Sequence, residues 1–222
     1  VGLLEAMGNL LLTPAPAPGS RSGSIDGIDD VDFFLFHSPY NKLVQKSFAR
    51  VLFHDVRAGR PLDASVDATD LSPWMETPLR DTYKDKTLEG KLKVHSKGYY
   101  TRKVAPGAEA GKLIGNTYTA SVYMNLAWLL SSKGESLAGK NVVLFSYGSG
   151  AMATMLNLRP NSSTSGPDGK FSLAIMAKNL NMKQRLDSRL KREPSDLDAA
   201  MTSREAADAA PRPFAPTYST HS

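Results

Sequence analysis

The sequence predicts an α/β fold, and three observations carry that prediction. A continuous apolar run at residues 31–36 leads straight into an amphipathic helical pattern. A second run, NVVLFS at 141–146, meets a glycine-rich turn and comes back as AMATMLNL. Between the two lies a long helical segment ending near residue 130. Strands buried on both faces show such unbroken apolar runs, and helices set between them are the mark of α/β layering.

Taken in order, residues 1–12 place Leu3, Leu4, Met7, Leu10 and Leu11 on one helical face, an entry helix. Residues 13–30, rich in Pro, Gly, Ser and Asp, read as a loop. The strand at 31–36 closes on His37. Pro39 suits the first turn of the next helix, where a missing N–H costs little. Along that helix Val44, Phe48, Val51 and Leu52 form the core face, with Lys42, Lys46 and Arg50 on the opposite side. Residues 58–78 read as loop, and 81–97 as partly helical despite Gly90. Residues 98–113, basic and carrying Tyr99-Tyr100, give no clear pattern. Gly115-Asn116 opens a helix through Leu130, with Ala120, Ser121 and Ala127 small enough for close packing. The run at 141–146, Gly148-Ser149-Gly150 and the returning segment make a hairpin with a three-residue loop. Residues 161–169 are a further loop, 181–192 and 195–210 are peripheral helices, and 211–222 form a tail expected to be disordered. No internal repeat is visible.

Composition narrows the function. The 222 residues are 41% hydrophobic and 22% charged, a globular balance large enough for a sizeable core. No run approaches the roughly 20 apolar residues that span a bilayer; Thr119, Ser121 and Asn125 break the longest. The net charge of +5 is dispersed among acids, even in RLDSRLKRE, which disfavours nucleic acid and suits a pocket for a small polyanion. The chain has no cysteine, so disulfides, thiolate metal sites and cysteine catalysis by its own residues are excluded. The start, VGLLEAMGNLLL, lacks both a basic leader and an initiator methionine, and the expectation is a piece of a longer protein.

The richest string is Phe36-His37-Ser38-Pro39-Tyr40-Asn41-Lys42-Leu43-Val44-Gln45-Lys46-Ser47. An imidazole at a strand end can give a proton or a hydrogen bond to a carbonyl oxygen near neutral pH. Lys42 and Lys46, four residues apart on one stripe, can hold phosphates. Together they suggest a phosphate-bearing carrier whose reactive end reaches His37. His54, His95 and His221 have no comparable setting and read as surface residues. No spacing suggests a metal site. Asn116 suits a helix cap. Ser149 lies in a glycine turn and not in the G-x-S-x-G elbow of a nucleophile. Tyr123 reads as core.

FHSPYNKLVQKS closely resembles the histidine motif of hydroxymethylglutaryl-CoA synthases, which are thiolase-like condensing enzymes. GNTYTASVY at 115–123 and FSYGSG at 145–150 match in the same order, and KQRLDSR at 183–189 matches more weakly. The resemblance implies the C-terminal half-domain of a thiolase-like fold, a mixed sheet with flanking helices, incomplete at both ends and spanning 31–210. It implies that His37 binds a carbonyl of acetoacetyl-CoA and helps manage its proton, that Asn116 and Ser149 contact the acyl group, and that Lys42 and Lys46 contact coenzyme A. Arg50 is a weaker candidate on the same stripe. The family needs no cofactor beyond its coenzyme A thioester substrates, acetyl-CoA and acetoacetyl-CoA. It takes its acylated cysteine and its acid–base glutamate from an N-terminal half, so this chain alone is expected to be inactive. A homodimer follows by resemblance; a cytoplasmic location is the expectation where no signal is visible, with a mitochondrial location left open, as is a role in sterol or in ketone-body synthesis. The poor match at 13–30 and 99–112, and the absence of the aromatic closing strand, are departures. Thiolases keep a second catalytic cysteine that this chain lacks, and ketoacyl synthases lack SPYNKLVQKS. The remaining alternative is a non-catalytic CoA-binding or dimer-forming module.

Overall fold

A computed structural model describes residues 25–148, 152–161 and 171–209. The expected entry helix, most of the loop at 13–30 and the tail at 211–222 lie outside them. The chain divides into two compact units, Val1–Met182 and Lys183–Ser222.

In the first unit, β1 (Phe33–Phe36) precedes α1 (Asn41–Arg57), a helical turn α2 (Leu79–Thr82), and helices α3 (Lys86–His95), α4 (Lys97–Lys103), α5 (Ala105–Ile114) and α6 (Ser121–Lys133). Strands β2 (Val142–Tyr147) and β3 (Ala153–Leu158) and helix α7 (Leu173–Leu180) follow. The second unit holds most of α8 (Met182–Asp187) and α9 (Pro194–Ala209). No helix among the described residues is long and apolar enough to cross a membrane.

The sheet is mixed, in the order β1-β2-β3. β1 pairs with β2 in parallel, Phe34 beside Val143 and Phe36 beside Phe145. β3 pairs with β2 antiparallel from Val142↔Leu158 to Tyr147↔Ala153. The hairpin stands as expected. Its ends are tied by Gly148 N–H donating to Met152 O at 2.9 Å, and its loop lies outside the described residues.

Strand alternation sends side chains to two cores. Phe34, Phe36, Val143 and Phe145 pack with Val44, Phe48 and Leu52 of α1 and Leu88 and Leu92 of α3. Leu35, Val142 and Leu144 pack with Val122, Leu129 and Leu130 of α6 and Leu173 of α7. Both faces of β1 and of the first four residues of β2 are therefore dry, and each fully buried Leu or Phe contributes about 2 kcal/mol. Helix α5 reaches the sheet because residue 107 is glycine: a Cβ there would collide with a Leu35 methyl.

Several expectations are corrected. Helix α1 begins at Asn41, not at Pro39. Tyr40 is extended as its cap (φ −161°, ψ 147°) and accepts the Leu43 N–H through its carbonyl. The region 98–113 is helical, as α4 and α5. Gly115, at φ +90°, ends α5, and the next helix starts at Ser121, after a 3₁₀ turn at Tyr118–Ala120. Helix α7, for which no expectation was formed, is capped by Ser172 Oγ accepting the Ile175 N–H at 3.3 Å. Tyr123 is 65% exposed, because the buried side of α6 is set by Val122, Asn125 and Leu129.

Candidate active site

His37 sits one residue beyond β1, where the apolar ladder runs out. Its backbone N–H donates to Phe145 O at 2.8 Å, prolonging the parallel pairing by one step. Its ring meets the edge of Tyr147 at 5.1 Å and 77°, and its Nδ1 lies 2.6 Å from Ser121 Oγ. The imidazole is half-buried, and this partial burial lowers its pKa, favouring the neutral ring at neutral pH.

Helix α6 holds the strand end in place. Ser121, in its first turn and fully buried, accepts the Ser38 N–H at 3.2 Å. Asn125, one turn later and also buried, donates through Nδ2 to Phe36 O at 3.0 Å and to Ser38 Oγ at 3.2 Å. Ser38 Oγ in turn donates to Phe36 O at 2.9 Å. Buried polar groups are tolerated when bonded. Here four hydrogen bonds, two at Ser121 and two at Asn125, fix the His37-Ser38 turn against one helix. Asn125 Oδ1 has no partner among the described residues.

Asn116 lies on the segment between α5 and α6, five residues before Ser121. It is exposed, and its Oδ1 accepts the Tyr118 N–H at 2.8 Å. That bond supports Tyr118 at φ +50°, a conformation that costs a bulky residue about 1–2 kcal/mol. Asn116 is thus the cap of a tight turn rather than of the helix itself. Ser149 lies outside the described residues. Tyr147, two residues before it, is described and stands against His37. At the end of β1 the structure brings together His37, Ser121 of α6 and Tyr147 of β2.

Lys42 is exposed in the first turn of α1. Lys46, one turn on, pairs with Glu89 Oε1 of α3 at 2.8 Å. Both line a cavity of about 240 Å³ between α1 and α3, to which Lys86 and Lys93 add charge and in which Glu89 is the sole acid. Coulomb attraction to Lys46 and Lys86, and above all the hydrogen bond from Lys46, hold Glu89 below the usual carboxylate range. The cavity is electropositive and suits phosphates.

Three further expectations are corrected. Arg50 is buried rather than exposed, at the inner wall of the same cavity: Nη1 donates to Thr82 Oγ1 at 2.8 Å and Nη2 to Thr82 O at 2.6 Å. His54 is buried on the same helix, its pKa lowered to about 4 by desolvation and then by Arg50, Arg57 and Arg60. His95, only 11% exposed, meets Asp70 Oδ2 at 2.9 Å. His221 lies outside the described residues. Among the described residues no cluster of three His, Asp or Glu could hold a metal ion. Sequence reasoning missed Ser121, Asn125 and Tyr147. The available signal was the pair of polar residues at i and i+4, Ser121 and Asn125, inside an otherwise apolar helix.

Comparison with known proteins decides the family. The family described as hydroxymethylglutaryl-coenzyme A synthase C terminal matches residues 17–222. The chain belongs to this synthase family. It is 36% identical over 201 residues to hydroxymethylglutaryl-CoA synthase A of Dictyostelium discoideum, covering 90% of this chain and 39% of the relative. It is 35% identical over 179 residues to the cytoplasmic human synthase, covering 80% of this chain and 34% of the relative. The chain thus spans about two-fifths or less of the synthases it matches. In fold it resembles MvaS in complex with 3-hydroxy-3-methylglutaryl coenzyme A, with a TM-score of 0.57 at 22% identity, over 89% of this chain and 39% of that one. The mixed sheet with flanking helices is therefore the synthase fold.

Proposed function

We propose that this chain supplies the acetoacetyl-CoA side of a hydroxymethylglutaryl-CoA synthase, condensing acetyl-CoA with acetoacetyl-CoA and water to 3-hydroxy-3-methylglutaryl-CoA and free coenzyme A. The observation that supports it most is the pinned, half-buried His37 at the end of β1, followed in the chain by a helix whose Lys42 and Lys46 line a basic cavity. A Claisen-type addition needs an acyl-enzyme, a base to form the enolate, and donors for the oxyanion that develops on the attacked carbonyl. His37 serves as such a donor, with Asn116 and Ser149 around the acyl group, and Lys42 and Lys46 hold the phosphates of coenzyme A. No cofactor is needed beyond the thioesters.

The 222 residues contain no cysteine, so the acylated nucleophile must come from outside them. The chain alone is expected to give no turnover of acetoacetyl-CoA. The assembled enzyme we place in the cytoplasm, as a homodimer feeding isoprenoid and sterol synthesis.

The test is an enzyme that joins this chain to the cysteine-bearing region of a synthase. His37→Ala should lower condensation by roughly 10²-fold or more, while acetylation of the cysteine, which precedes arrival of the second substrate, stays near the parent rate. Equal loss of both steps, or no loss, would overturn the assignment of His37. Turnover by the unjoined chain would overturn the half-site reading.

A further inference from the structure

We infer that Ser121 is a positioning residue for His37, its hydroxyl donating to Nδ1 and holding the imidazole as the Nε2–H tautomer. The argument is a count of one hydrogen. Ser121 Oγ lies 2.6 Å from His37 Nδ1 and accepts the Ser38 N–H at 3.2 Å. The hydroxyl carries one hydrogen and two lone pairs. If it donates to Nδ1, its hydrogen and the Ser38 N–H are both satisfied. If Nδ1–H donated instead, Ser121 would accept twice and its own hydrogen would need a third partner. Ser121 is fully buried, out of reach of solvent, and no other acceptor is hydrogen-bonded to its Oγ among the described residues. A buried donor left unmade costs about 1–3 kcal/mol, so the first arrangement wins.

The surroundings keep this geometry fixed. The His37 N–H is held by Phe145 O, Tyr147 packs its edge against the ring, and Asn125 ties Phe36 O and Ser38 Oγ to the same helix that carries Ser121. Nε2 makes no hydrogen bond among the described residues. It is the ring nitrogen left to meet a ligand, and in this tautomer it meets it as a neutral donor. That suits a carbonyl oxygen on which negative charge develops, and it does not suit a proton to be abstracted. The use of Nε2–H toward a thioester carbonyl rests on the synthase reading; the tautomer does not.

The test is nitrogen-15 NMR of the histidine side chains in the intact chain, well above the imidazole pKa, with the His37 signals assigned by their loss in His37→Gln. The expected pattern is an unprotonated Nδ1, a protonated Nε2, and a slowly exchanging Ser121 hydroxyl proton with an Overhauser contact to the His37 ring. Ser121→Ala should move the Nδ1 shift toward the exchanging mixture of a free imidazole, and Ser121→Thr should restore it. A protonated Nδ1 in the parent chain overturns the inference. So does an unchanged tautomer in a folded Ser121→Ala, or the absence of the hydroxyl contact. The parent-chain readings decide even if Ser121→Ala fails to fold. Adding acetoacetyl-CoA separates the two proposals: Nε2–H present but unmoved by the thioester would sink the synthase reading and leave the tautomer standing.

Discussion

The two halves of helix α1 carry one stripe of basic residues, Lys42, Lys46, Arg50 and His54, each four residues from the last, yet they meet opposite environments. Lys42 is exposed, Lys46 is half-buried against Glu89, and Arg50 and His54 are buried. The helix does not change; its cover does. The chain from α2 into α3 crosses the later turns, and Thr82 receives the guanidinium of Arg50 while Phe53 and Tyr83 flank it at 5.8 and 5.5 Å. Spacing along a helix says which residues share a side. It does not say what will lie on that side, and the same four-residue repeat yields an exposed lysine at one end and a buried arginine and histidine at the other.

The largest effect expected is on stability at the covered end. Arg50→Leu removes two hydrogen bonds to a charged group and two ring contacts, and leaves Thr82 O with only the Asp85 N–H. The loss should be about 3–4 kcal/mol, read as a fall in the urea midpoint. Lys42→Leu should stay within about 0.5 kcal/mol of the parent. Similar losses at both positions would erase the contrast.

His54 gives a pH-dependent version of the same contrast. Its folded pKa, about 4, lies below the ordinary 6.5 of an unfolded chain. Above pH 6.5 the ring is neutral in both states. Below it the unfolded chain takes up a proton that the folded one refuses, so stability falls as pH drops from 6.5 towards 4, by up to about 3 kcal/mol. His54→Leu should flatten that window relative to the parent in pH-dependent denaturation. An equal slope in both proteins would mean that His54 is not buried as described.

Much of the fold was legible because it rests on local patterns. The apolar runs at 31–36 and 141–146, the hairpin turn and the Val44-Phe48-Val51-Leu52 face all name their own structure. The failures share a cause. Arg50, His54 and His95 misled because their partners, Thr82, the neighbouring arginines and Asp70, are set by tertiary packing. The helices at 98–113 were hidden by Gly98, Pro106, Gly107 and Gly111, weak helix formers, and at least Gly107 is there for close approach to Leu35. At the candidate site the histidine and the lysines could be read from one contiguous string. Ser121 and Asn125 could not, since their roles depend on a contact that spans more than 80 residues of chain.

At the open end the effects are smaller and fall on binding. Lys42→Ala and Lys46→Ala should each weaken coenzyme A by a few-fold at most, since exposed charge contacts are worth about 1 kcal/mol or less. The double variant should also flatten the salt dependence of binding, measured by calorimetric titration at low and moderate ionic strength. Unchanged affinity and salt slope in the double variant would remove coenzyme A from this stripe.

The smallest expected change is the one that tests how the two ends meet. Lys46 lies at the border, its ammonium 2.8 Å from Glu89 Oε1, and the hydrogen bond from Lys46 is the main cause holding that carboxyl below its usual range. A phosphate arriving at Lys46 must therefore compete with a carboxylate already in place. Glu89→Gln keeps the shape and removes the charge. The fold should lose at most about 1 kcal/mol, the ordinary worth of a partly exposed pair. Coenzyme A should bind up to about fivefold more tightly, because a like charge some 4 Å away in a watery cavity costs about 1 kcal/mol. The gain should vanish when Lys46 is already alanine, which a double-mutant cycle measures directly. A gain that survives in the Lys46→Ala background would mean that Glu89 repels the ligand through the cavity at large. No gain at all would mean that the phosphates never reach Lys46, and the ligand-facing part of the stripe would then shrink to Lys42.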